Sequence, residues 1–109
     1  MIEFQFFDGC PNADDTLQHL YEAMVEQGIT KDHLKLTEVP NIESAKMFYF
    51  QGSPTILVNG KDIYTDELRV GFSYSCRIYK FNGEQAGCIP KEFIAAKLKN
   101  LHSDLLSQS

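Results

Sequence analysis

The reading of this chain turns on Phe6-Phe7-Asp8-Gly9-Cys10-Pro11-Asn12-Ala13-Asp14-Asp15-Thr16. On its N-terminal side, Ile2-Glu3-Phe4-Gln5-Phe6-Phe7 alternates and then turns wholly apolar, which predicts a buried strand closed by Asp8-Gly9. On its C-terminal side a helical pattern begins, so Cys10 falls at the junction. Pro11 suits the first helical position, where a missing N–H costs nothing. A helix mouth offers unpaired N–H groups and a partial positive charge, and both favour a thiolate over a thiol. Asp14 and Asp15 suit the dipole but set negative charge close to the sulfur, which works the other way. Cysteine is among the most often buried residue types, so packing at a strand end is the plain alternative. The strand-Cys-Pro-helix placement favours the reactive reading.

Outward from there, the 109 residues with 43% apolar content suit one compact domain, expected over 1–106 with 107–109 frayed. A net charge of −5 and scattered Lys and Arg argue against nucleic acid or an anionic membrane as partner. No apolar run approaches a membrane span, and Met1-Ile2-Glu3-Phe4 lacks a basic leader, so a cytoplasmic setting is expected. Three cysteines make no disulfide framework, and thiols in that setting stay mostly reduced.

The first helix carries an apolar stripe at Leu17, Leu20, Tyr21, Met24 and Val25, with Gly28 as its stop. Leu34 to Val39 predicts a second strand. Asn41 caps a helix over 42–50 that turns Ile42, Ala45, Phe48 and Tyr49 to the core and ends at Gly52. Thr55 to Val58 is a buried strand with Pro54 at its start and Asn59-Gly60 as a tight turn. Lys61 to Gly71 reads as a loop with an extended piece at Ile63-Tyr64. Phe72 to Phe81 reads as one further strand, and Asn82-Gly83 as another turn. Pro90 opens a last helix whose stripe is Phe93, Ile94, Leu98, Leu101 and Leu105. The order is β-α-β-α-β-β-α, with the first two strands parallel.

Two motifs then carry a resemblance. Gly9-Cys10-Pro11-Asn12-Ala13 stands between a strand and a helix, and Ser53-Pro54-Thr55 opens the third strand. With this order of elements, the chain resembles the thioredoxin-like superfamily, over nearly its whole length. It is most similar to small bacterial thioredoxin- or glutaredoxin-like proteins that carry Gly-Cys-Pro-Asn-Cys, Gly-Ser-Pro-Thr and a late Cys-Arg-x-Tyr, here Cys76-Arg77-Ile78-Tyr79. The resemblance implies an α/β fold with a four-stranded mixed sheet and three helices. It also implies a cis Ser53–Pro54 bond facing the cysteine, with Cys10 as nucleophile. Pro11 and Asn12 would shape its loop, and Ser53, Pro54 and Thr55 would orient a substrate.

Position 13 departs from that pattern. In a dithiol enzyme a second thiol resolves the mixed disulfide, and Ala13 cannot. Three routes stay open: a monothiol protein using an outside thiol, a cysteine replaced by alanine so that the mixed disulfide is trapped, or resolution by Cys76 or Cys88. Cys76 reads as a buried, inert thiol in mid-strand, Cys88 as a more exposed loop thiol, and a Cys76–Cys88 bridge is compatible with a turn at Asn82-Gly83. The glycine run with which glutaredoxins hold glutathione is missing from 81–90.

His19, His33 and His102 have no ligand spacing with the cysteines and read as surface residues, so no metal site or cofactor is expected. The expected activity is thiol–disulfide exchange on a protein or small-molecule substrate, with Cys10 alone as the nucleophile. The alternatives are a non-catalytic binding module of the same fold, or a thiol ligand for a soft metal or an organomercurial.

Overall fold

The computed structural model describes residues 2–69 and 71–107, with side chains as far as Lys99. The chain runs β1 (Ile2–Phe6), α1 (Pro11–Glu26), a 3-10 turn (Lys31–His33), β2 (Leu34–Glu38) and α2 (Ile42–Phe48). It continues through β3 (Gln51–Ser53), β4 (Thr55–Val58), β5 (Lys61–Asp62), β6 (Ser73–Cys76), β7 (Tyr79–Phe81), β8 (Glu84–Ala86) and α3 (Lys91–Ser107). The fold is mixed α/β, with three α-helices and a four-stranded sheet in the order β2-β1-β4-β5. β1 and β2 are parallel, as a strand-helix-strand unit requires, and β4 and β5 run antiparallel to their neighbours. Phe4 faces Leu36 on one side and Ile56 on the other.

Ile2, Phe4 and Ile56 meet Leu20, Ala23 and Met24 of α1 and Ile94 and Leu98 of α3 in the main core. A second, smaller cluster gathers Val39, Ala45 and Phe50 with Phe7 and Tyr74. Burying such side chains is what holds α1 and α3 in place, at roughly 1.5–3 kcal/mol for each large apolar group. Among the described residues no helix is long and apolar enough to cross a membrane.

Several expectations need correction. The fourth strand of the sheet is β5, reached through the Asn59-Gly60 turn, and not the 72–81 segment. Asn59 and Gly60 both take positive φ, the conformation a two-residue hairpin needs, so the turn residues outweighed the polar loop composition after them. Ile63-Tyr64 lies in a turn and not in an extended piece. The 72–81 segment breaks at Arg77-Ile78: β6 pairs in parallel with β3, and β7 pairs with β8 across Asn82-Gly83. Alternation alone could not show that break, because both halves are extended.

The second helix is shorter than expected. It is capped by the Asn41 side chain, which accepts from the Ser44 amide at 2.8 Å, and stops at Tyr49, which adopts a left-handed φ of 53°. Of its expected core residues only Ala45 is buried; Ile42, Phe48 and Tyr49 are exposed. Gly52 therefore belongs to β3 and not to the helix end. In α1, Val25 points outward and Ala13, Thr16 and Ala23 complete the buried face. Ser107 is the last residue of α3, residues 108–109 lie outside the described part, and the side chains of Leu101, His102 and Leu105 do too.

Candidate functional site

Cys10 caps α1 with extended backbone, and Pro11 takes the first helical position. Gly9, at φ +89°, turns the chain from the end of β1 into this cap. The Cys10 carbonyl accepts from the Ala13 amide at 3.2 Å, closing the first turn. The sulfur is almost covered, with the residue 6% exposed. It opens on a shallow cleft lined by Phe6, Phe7, Asp8, Gly9, Pro11 and Asp14. Ala13 is buried behind it.

Ser53, more than forty positions away, lies against this sulfur. Cys10 Sγ is 3.6 Å from the Ser53 carbonyl oxygen. The Ser53 hydroxyl accepts from the Phe7 amide at 3.3 Å, which fixes β3 to the loop ahead of Cys10. The Ser53–Pro54 bond is cis. Thr55 donates its hydroxyl to the Gly52 carbonyl at 2.6 Å and so ties the two flanks of Pro54 together. Tyr79, fully buried, donates its hydroxyl to the Pro54 carbonyl. Burial pushes the Tyr79 phenol well above its ordinary value; Arg77 opposes this and Asp62 adds to it.

The second thiol to consider is displaced from its expected place. Cys76 is exposed, not buried, and its Sγ lies 3.8 Å from Cys10 Sγ. It sits at the end of β6, a short strand at the surface, so apolar neighbours in sequence did not translate into burial. The Cys76 thiol is pushed above its ordinary value by desolvation, by its hydrogen bond to Cys10 and by the charge of Cys10. Next to it, the Arg77 amide donates to the Ser53 carbonyl at 2.8 Å. The Arg77 side chain turns inward, 2.5 Å from Asp62 and 3.2 Å from the Thr55 hydroxyl, with the Tyr79 ring 4.7 Å below its guanidinium. This buried ion pair is the anchor of the segment, and no signal in the sequence marks Asp62 and Arg77 as partners.

Cys88 is half-buried and turned elsewhere. Its Sγ faces the Asn12 carbonyl at 3.8 Å and the Asn12 side-chain oxygen at 3.5 Å. Gly87 makes room for this, since a Cβ there would overlap the Asn12 amide. Ile89 follows, its amide donating to the Thr16 hydroxyl at 3.3 Å and its carbonyl meeting His19 Nδ1 at 2.8 Å. His19 is thus a half-buried tie between α1 and the loop before α3, and not a free surface residue; His33 is half-buried as well.

Of the expected site residues, Cys10, Pro11, Ser53, Pro54 and Thr55 gather at one end of the sheet. Cys76 joins them, while Asn12 and Cys88 pair at the side. Cys76 and Cys88, whose pairing the sequence left open, are not bridged: all three thiols are free, and the Cys76 thiol donates to the Cys10 sulfur. Among the described residues no group of three or more His, Cys, Asp or Glu is placed to hold a metal ion. The chemistry on hand is that of two adjacent sulfurs, one at a helix mouth, beside a carbonyl that is already taken. No family model matches the chain, and neither a curated protein nor a solved structure matches it.

Proposed function

We propose that the protein is a thioredoxin-like thiol–disulfide oxidoreductase that uses the Cys10 sulfur as its nucleophile. The observation that carries this reading is the meeting of Cys10 with Ser53 at 3.6 Å, over the N-terminus of α1. The parallel β1-β2 pair joined by α1, and the antiparallel β4-β5 pair in the same sheet, support the superfamily resemblance; β6, β7 and β8 are inserted between that pair and α3. The helix mouth supplies the positive end of the α1 dipole for developing negative charge on the sulfur. The substrate is a low-molecular-weight disulfide. The cleft is shallow, and β3 is already paired with β6 through Ser53, which covers the edge an extended peptide would join.

The test is reduction of hydroxyethyl disulfide with glutathione as reductant. Turnover is expected for the intact chain and for Cys88→Ser, and a fall of at least tenfold for Cys10→Ser. Equal turnover in all three would overturn the reading. No turnover in the intact chain or in Ala13→Cys would favour a non-catalytic binding module.

A second reading draws on the 3.8 Å separation of the two sulfurs. Two neighbouring thiolates also suit a soft cation or an organomercurial. Stoichiometric binding of mercuric ion, lost in both Cys10→Ser and Cys76→Ser, is the outcome that would favour it.

A further inference from the structure

From the Cys10–Cys76 contact we infer that Cys76 is the resolving thiol of the site, closing a Cys10–Cys76 disulfide that takes over the task position 13 cannot perform. The inference rests on the reading of Cys10 as nucleophile. The two sulfurs stand 3.8 Å apart, in contact but unbonded. Reaching bonding distance takes a movement of roughly 2 Å, within the reach of side-chain rotation. The backbone that carries Cys76 is held in place from several sides. Cys76 stands in register with Ser53, and the Arg77 amide bonds the Ser53 carbonyl. The Arg77 side chain is pinned by Asp62.

Gly52 allows this approach. It has φ +108°, and a Cβ there would lie 3.0 Å from Arg77 Cβ and 3.1 Å from the Ser75 carbonyl. Cys88 does not compete, because its sulfur is turned to Asn12.

The chemistry balances without an added cofactor. The Cys10 thiolate attacks one sulfur of a small disulfide, forming a mixed disulfide and releasing one small thiolate, which takes up a proton. The Cys76 thiolate then attacks Cys10 Sγ, forms the internal bridge and expels the second small thiolate. Two electrons pass from the protein dithiol to the small disulfide. Two molecules of a reducing thiol, such as glutathione, return the bridge to the dithiol.

The experiment treats the reduced intact chain with oxidised glutathione at neutral pH, quenches with acid and maps the sulfurs by mass spectrometry of a non-reduced digest. The expected product is a Cys10–Cys76 linked peptide pair with no glutathione retained on either residue. In Cys76→Ser the same treatment should leave glutathione stably attached to Cys10. Gly52→Ala should slow bridge formation at least tenfold. A persistent Cys10–glutathione adduct in the intact chain, or a bridge that uses Cys88, would overturn the resolving role alone. Absence of any reaction at Cys10, in the intact chain and in Cys76→Ser alike, would overturn the nucleophile reading along with it.

Discussion

At the scale of single residues, the site depends on buried polar groups that each have a specific partner. Tyr79 is the clearest case. Its hydroxyl holds the Pro54 carbonyl, and both residues are buried. Tyr79→Phe leaves that carbonyl without its donor, and a loss of about 1–3 kcal/mol is expected in denaturant unfolding. The phenol also sets a pH dependence. Its folded-state value is raised, so above the ordinary tyrosine value the unfolded chain releases a proton that the folded chain keeps. The stabilisation is therefore whole below about pH 10 and declines as pH climbs beyond it. Tyr79→Phe should flatten this alkaline decline, and an unchanged slope in the variant would assign it to other groups. The Asp62–Arg77 pair gives a second case, with side chains 3% and 12% exposed. Asp62 also accepts the Tyr64 amide at 2.9 Å. Asp62→Ala strands a largely buried guanidinium, for which a cost of about 3 kcal/mol is expected.

At the scale of elements, the short pieces bring distant residues to the sulfur that α1 presents. α2 shows how local signals act: its Asn41 cap satisfies the Ser44 amide, and Asn41→Ala should cost about 1 kcal/mol in thermal or denaturant unfolding. β6 shows the limit of such signals. It pairs with β3 across a register shift, and the close approach passes through Gly52. Gly52→Ala meets both an unfavourable φ and a crowded Cβ, so a destabilisation above about 1 kcal/mol is expected, larger than for Ala at an ordinary strand glycine. The helix starts at Cys10, the cap at Asn41 and the turns at Asn59-Gly60 and Asn82-Gly83 were legible because each is set by residues adjacent in sequence. The break at Arg77-Ile78, the exposure of Cys76 and the burial of Asp62 were not. Each is decided by pairing between segments far apart in the chain, where a strand pattern reports extension but not which edge it joins. The outward turn of Val25 and of the α2 apolar residues has the same origin, since helical spacing marks a face but not whether anything covers it.

At the scale of the whole molecule, the sheet and the α1–α3 layer form a frame that delivers three distant segments to one place. Cys10 arrives from the end of β1, Ser53 from the end of β3 and Cys76 from the end of β6. The three helices and the parallel β1-β2 pair follow from the sequence order of strands and helices, while the fourth strand of the sheet, β5, does not. The partner of Cys10 could be read only from the folded chain. Exposure alone does not pick out the attacking sulfur. Cys76 is the open sulfur, yet its thiol is pushed above its ordinary value by desolvation and by the sulfur it faces. Cys10 is nearly covered, yet it stands at the mouth of a helix. The rate of glutathionylation by oxidised glutathione at neutral pH, measured on Cys76→Ser and on Cys10→Ser side by side, decides between them. Cys10 in the first variant should react at least tenfold faster than Cys76 in the second; equal or faster reaction of Cys76 would contradict the assignment of Cys10 as the attacking sulfur.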